Sequence, residues 1–129
     1  MDKTFFAHIT KGALDGSINF PTAVNILIEH DVEAYHVDLI RQEKTFFLAN
    51  GQSHRENFTL PPLEVQLAFN HDGVIQAIKD AQASKGTYIE FLQKIAHAGS
   101  NYYIVYIRGK KVIYFGRKGD FHIENFPNN

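Results

Sequence analysis

The stretch His54-Arg55-Glu56-Asn57-Phe58 returns as His122-Ile123-Glu124-Asn125-Phe126, 68 residues later. Sliding the chain against itself by that distance needs no gap. Tyr35 then falls on Tyr103, Val37 on Val105, Phe47 on Phe115 and Gly51 on Gly119. Eight of the 24 pairs from Tyr35/Tyr103 to Phe58/Phe126 are identical, where unrelated segments of ordinary composition share roughly one or two. The register also holds where residues differ: Phe20 meets Tyr88, Val24 meets Leu92 and Leu27 meets Ile95. A period of 68 is too long for a solenoid unit. The expectation is one domain built from two repeats, at about 3–58 and 71–126, with a linker at 59–70.

Apolar spacing gives each repeat the order helix, helix, strand, strand, strand. Phe6, Ile9, Ala13 and Leu14 recur at helical intervals before Gly16. Their counterparts are Val74, Ala77, Ile78 and Ala81, with Asp72 as N-cap and Gly86 as stop. The second helix of the first repeat opens on Pro21 and carries Ala23, Val24, Leu27 and Ile28 on one face. In the second repeat Thr87 and Glu90 have capping-box spacing ahead of Phe91, Leu92, Ile95 and Ala96, and Gly99 closes the helix. Asp31 holds the matching place in the first repeat and tolerates a left-handed backbone.

The period then drops to two. Tyr35, Val37 and Leu39 alternate with His36 and Asp38, as in a half-buried antiparallel strand, and Tyr103, Val105 and Ile107 repeat that face. Second strands are expected at Thr45 to Ala49 and Val112 to Gly116, with Gly109 turning the chain in the second repeat. Asn50-Gly51 and Lys118-Gly119 supply the next turns, and the His-x-Glu-Asn-Phe stretches form short third strands. Between the repeats, Pro61-Pro62 breaks regular structure. Leu63, Val65, Leu67 and Phe69 alternate after it like an extra strand. The fold class is α+β, with antiparallel strands packed against about four amphipathic helices.

Composition narrows the chemistry. The chain has no cysteine, which excludes disulfides, thiolate nucleophiles and Cys-ligated zinc. Its first 20 residues carry charge throughout and show no signal peptide, and no apolar run approaches the ~20 residues of a membrane span. A cytoplasmic protein is expected. Net charge is −1, yet residues 1–68 hold five Lys/Arg against nine Asp/Glu while residues 69–129 hold eight against five. Drift between the halves accounts for this most simply. Opposite signs would also favour an encounter between two copies at low salt, as in a homodimer.

With Gly86-Thr87-Tyr88 opening a helix, then Tyr114-Phe115-Gly116-Arg117 and His122-Ile123-Glu124-Asn125-Phe126-Pro127, the chain resembles the YdfO-like proteins. Tyr35-His36-Val37-Asp38 is similar to that family's first strand. These are small bacterial proteins of about this length, catalogued as a domain of unknown function and sometimes labelled phage-envelope-like. The resemblance covers nearly the whole chain and implies an α+β fold. It implies no activity.

Three constellations carry possible chemistry. His54 with Glu56, and His122 with Glu124, each place an imidazole beside a carboxylate on one strand face. If a twofold axis brought the pairs together, they would suit zinc or another divalent metal. The commoner outcome for so short a motif is structural, a packed Phe whose polar neighbours hold a turn. His36 with Asp38 has half of a general-base arrangement, but no nucleophile elbow accompanies it, and the second repeat has Ile104 and Tyr106 there. An ordinary exposed strand face is favoured. Arg108, Lys110, Lys111, Arg117 and Lys118, interleaved with Tyr106, Tyr114 and Phe115, offer phosphate contacts and stacking to single-stranded nucleic acid. The pI near 6.6 argues against that.

The reading favoured is a small non-enzymatic binding or interaction module with no cofactor. A small enzyme or metal protein using the His-x-Glu pairs is the alternative, and a weak nucleic-acid binder through residues 106–118 comes after it.

Overall fold

The computed structural model describes residues 3–127. Two helices, α1 (Thr4–Asp15) and α2 (Phe20–Glu29), lead into strands β1 (Val32–Asp38), β2 (Glu43–Leu48) and β3 (Ser53–Asn57). Helices α3 (His71–Gln82) and α4 (Tyr88–His97) then lead into β4 (Ser100–Tyr106), β5 (Lys111–Gly116) and β6 (Phe121–Asn125). All six strands join one antiparallel sheet in the order β3-β2-β1-β4-β5-β6. The protein is α+β, as the alternation of periods predicts.

The sheet register relates the two halves. In the central pair His36 lies opposite Ile104, the residue 68 positions beyond it. Tyr35 then faces Val105, and Val37 faces Tyr103, so the partners exchange places when the halves are exchanged. A twofold axis through that pair carries β1 onto β4, β2 onto β5 and β3 onto β6. The irregularity between Val32 and Ala34 in β1 recurs between Ser100 and Tyr102 in β4. Left-handed backbone recurs too, at Gly16 and Ser84, Asp31 and Gly99, Gln42 and Lys110, Gly51 and Gly119.

Local chemistry explains the helix ends. The Asn19 side chain accepts from Thr22 N at 3.0 Å to start α2, and Thr87 with Glu90 forms a complete capping box on α4. At α3 the cap is Asn70, which accepts from Gly73 N at 3.0 Å, and not Asp72. The reason lies in the preceding segment. Gln66 N and Asn70 N donate to Ala96 O at 3.1 Å and Ala98 O at 2.7 Å, pinning the segment to the carbonyls at the end of α4. Those bonds hold residues 63–70 along α4 as irregular chain, so the extra strand expected there does not form. Gly99 allows the approach, since a Cβ there would lie 2.2 Å from Ala68 O.

All four helices cover one face of the sheet. Phe6, Ile9, Leu27, Val74, Ile78, Leu92 and Ile95 meet Tyr35, Val37, Phe46, Tyr103, Val105, Val112 and Tyr114 in one core. The stripes differ in detail from the expected ones. On α1, Thr10 and Gly12 are buried where Ala13 and Leu14 are only half-buried, because Ile18 folds back onto Gly12. Ile28 of α2 is exposed, as is Ala81 of α3.

Candidate functional site

The helix-facing side of the sheet carries two rows of side chains that run edge to edge. One reads Glu56, Lys44, Val37, Tyr103, Tyr114, His122 across β3, β2, β1, β4, β5 and β6. The twofold relation turns it into the other: Glu124, Val112, Val105, Tyr35, Phe46, His54. The rows match except that Lys44 stands where the second half has Val112, and Tyr114 where the first has Phe46. Both extra polar groups fall in the first row.

Lys44 is 5% exposed, on the buried side of β2 with Phe46. Its Nζ lies 5.3 Å from the Tyr35 ring centre, 5.9 Å from Phe46 and 6.0 Å from Tyr88. Among the described residues no carboxylate or carbonyl oxygen pairs with it. Glu56 lies directly across the ladder but takes the His54 Nε2 hydrogen bond instead. Burial lowers the Lys44 amine to about 8. The Tyr88 and Tyr103 hydroxyls hydrogen-bond to each other, and the Tyr103 ring lies 5.3 Å from Tyr114. Burial raises Tyr88 to about 12 and lifts Tyr35, Tyr103 and Tyr114 well above their ordinary range. A buried amine among four protonated phenols is the main chemical feature of the interior.

The His-x-Glu pairs do not converge. His54 and Glu56 lie on β3 and His122 and Glu124 on β6, the opposite edges of the sheet. Five strand spacings put them roughly 24 Å apart. Each pair closes on itself: His54 Nε2 donates to Glu56, and His122 Nε2 donates to Glu124 Oε1 at 3.1 Å. His54 stacks on Phe6 with ring centres 5.0 Å apart, and His122 meets His71 edge-on at 5.3 Å. Among the described residues no three His, Asp or Glu side chains are placed to hold a metal ion. The condition set from the sequence for a shared site, that a twofold axis bring the two pairs together, is not met, because the register that relates the pairs also separates them.

His36 and Asp38 do not form a dyad. Asp38 Oδ1 accepts from Ile40 N at 2.9 Å and Arg41 N at 3.0 Å, turning the chain between β1 and β2. The His36 ring sits 4.8 Å from Phe47, and burial lowers its pKa. The basic hairpin is divided as well. Arg108, Lys110 and Lys111 cluster at one end of β5 while Arg117 and Lys118 lie at the other, beyond a six-residue strand of roughly 20 Å. Arg117 Nη1 donates to Val65 O at 3.3 Å. Of its aromatics, Tyr114 is buried under the helices while Tyr106 and Phe115 face away. The turn before β5 bends at Lys110, with φ of 56°, and not at Gly109.

The side of the sheet away from the helices is bare, and its halves differ. On β1 to β3 it presents Ala34, His36, Thr45, Phe47, Ser53 and Arg55. On β4 to β6 it presents Tyr102, Ile104, Ile113, Phe115, Phe121 and Ile123 in two ranks. Phe121 and Ile123 are 54% and 44% exposed, Tyr102, Ile113 and Phe115 are half-buried and Ile104 is buried; Tyr102 stacks on Phe115 at 4.7 Å. Alternation along each strand marks this face in the sequence, but the apolar patch exists only once β4, β5 and β6 are paired in register.

Among the described residues no helix is long and apolar enough to cross a membrane. No protein of curated function matches the chain. The model of one family, described as "Protein of unknown function (DUF1398)", matches residues 3–125. The chain belongs to that uncharacterised family.

Proposed function

We propose that the protein is a small binding module that works through the bare β4–β6 face and that its partner there is a second copy of the chain. The observation that supports this is the segregation of apolar side chains. Phe121 and Ile123 are exposed beside the half-buried Ile113, Tyr102 and Phe115 and the buried Ile104, while the equivalent positions of β1 to β3 hold Ser53, Arg55, Thr45, Ala34, Phe47 and His36, four of them polar. Contiguous exposed apolar surface of this kind is characteristic of interaction sites. Its complement is another apolar surface, and a patch that meets its own copy forms a closed isologous pair. In outline the three strands cover about 250 Å², well below the roughly 800 Å² per partner of a standard interface. The dimer is accordingly weak, with a Kd of tens of micromolar or above.

Sedimentation equilibrium from about 10 µM to 1 mM checks this. A rising average mass, held at monomer by Phe121→Glu with Ile123→Lys, is the expected result. A wild-type monomer at the highest concentration removes the reading.

A nucleic-acid role is the second reading, favoured by Tyr102, Tyr106 and Phe115 on an open sheet face with basic residues at both ends of β5. Base stacking on such a platform is sequence-tolerant. Absence of binding to labelled single-stranded DNA or RNA in 150 mM salt ends it. The proposal further takes the chain as a doubled ancestral unit of YdfO-like type, working in the bacterial cytoplasm. The recurrence of turns and register at an offset of 68 residues supports the doubling.

A further inference from the structure

We propose that Lys44 is an imine-forming amine, which captures small apolar aldehydes in the layer between the sheet and the helices. Four observations meet at this side chain. It is 5% exposed, yet its Nζ has no counter-ion among the described residues. The fold does not require a lysine there, because the other half fills the matching position with Val112. Glu56, directly across the ladder, is engaged by His54. The surroundings are aromatic, with Tyr35, Phe46 and Tyr88 within 6.0 Å of Nζ by ring centre.

A lysine kept in apolar surroundings without a carboxylate is held toward its neutral, nucleophilic form. The titratable groups beside it are Tyr35 from β1, Tyr88 from α4 and, across the ladder, Glu56 from β3, which His54 holds. The only negative charge among them is already hydrogen-bonded. The phenols stay protonated and are donors.

The reaction balances without a further reagent. The Lys44 nitrogen lone pair forms the C–N bond as the carbonyl π pair moves to oxygen, and a proton passes from nitrogen to that oxygen. The carbinolamine hydroxyl then leaves as water, taking a proton from the Tyr88–Tyr103 hydroxyl pair. Nitrogen returns a proton to the phenol as the C=N bond forms. The sum is amine plus aldehyde giving imine plus water. Aromatic walls select an aryl or short alkyl aldehyde over a charged one. A groove of about 420 Å³ between α1 and the end of β3 has Glu56, the ladder partner of Lys44, in its lining.

Reductive trapping tests this. The folded protein is incubated with benzaldehyde and cyanoborohydride between pH 6.5 and 9.5, and labelled lysines are mapped by mass spectrometry. The other eight lysines serve as internal controls. An amine at about 8 has roughly 200-fold more neutral form at pH 7 than an ordinary lysine, so burial must slow attack by more than that to hide it. The expected result is labelling of Lys44 at least tenfold faster than any other lysine at pH 7. Its rate should level off above pH 8 while theirs keep rising, and Tyr88→Phe should slow it severalfold. Lys44→Met, with its helical and sheet signal intact by circular dichroism, should lose the fast phase alone. Labelling of Lys44 only after denaturation, or at the rate of the surface lysines, overturns the proposal.

Discussion

At the scale of single residues, Lys44 sets the pH behaviour of the fold. Burial lowers its amine to about 8 from the ordinary 10.5. The unfolded chain therefore holds more protons between those values, and stability rises with pH across that window. Tyr88 works in the other sense. Its folded value of about 12 lies above the ordinary 10.0, so unfolded tyrosines lose protons first and stability falls above pH 10. The melting temperature should climb from pH 8 to about 10 and then drop. Below pH 8 the desolvation cost is present in full, on the order of 3 kcal/mol at ~1.4 kcal/mol per unit, partly offset by the three rings around the ammonium. Lys44→Met should stabilise the protein by roughly 1–3 kcal/mol at pH 7 in urea unfolding and flatten the rise between pH 8 and 10. A destabilised variant contradicts the assignment. Lys44 was hidden in the sequence because the second strand reads most naturally from Thr45. Starting at Glu43 instead puts Lys44 on the same face as Phe46, and the offset to Val112 then marks it as anomalous.

At the scale of elements, the turns were legible where one residue type has one physical use. Asp31 takes the left-handed backbone in the place of Gly99, with φ of 60°, and Thr87 with Glu90 forms the capping box that their spacing predicts. Gly109 misled because a glycine permits a left-handed turn without requiring one, and Lys110 takes it at φ 56°. Replacing Lys110 with Gly should relieve that strain and raise stability by about 1 kcal/mol, measurable by urea unfolding. Gly99→Ala should do the reverse. It adds a Cβ at φ 97°, 2.2 Å from Ala68 O, and should cost at least ~3 kcal/mol while freeing residues 63–70 to exchange amide protons. The alternation of Leu63, Val65, Leu67 and Phe69 has the period of a strand, but period says nothing about hydrogen-bond partners. The end of α4 captures those amides first, and Leu67 is left 55% exposed.

At the scale of the whole molecule, the offset of 68 residues was visible in the chain, but its geometric consequence was not. A twofold relation can gather two equivalent motifs or set them apart, and which occurs depends on where the axis falls. Here it passes through the His36 and Ile104 pair, so the most alike segments, β3 and β6, occupy opposite edges. Each His-Glu pair then offers two ligands, and zinc at 100 µM should shift the melting temperature by less than about 1 °C, since tight sites take three or four. The same placement gathers Tyr102, Ile104, Ile113, Phe115, Phe121 and Ile123 on a face that no helix covers. That face as the contact surface is tested most directly by amide ¹H–¹⁵N spectra of the labelled protein over a dilution series from 1 mM to 20 µM. The account predicts concentration-dependent shifts confined to residues 100–125, strongest in β5 and β6, with α1 to α4 unmoved. Shifts centred on the helices, or on β1 to β3, would contradict it.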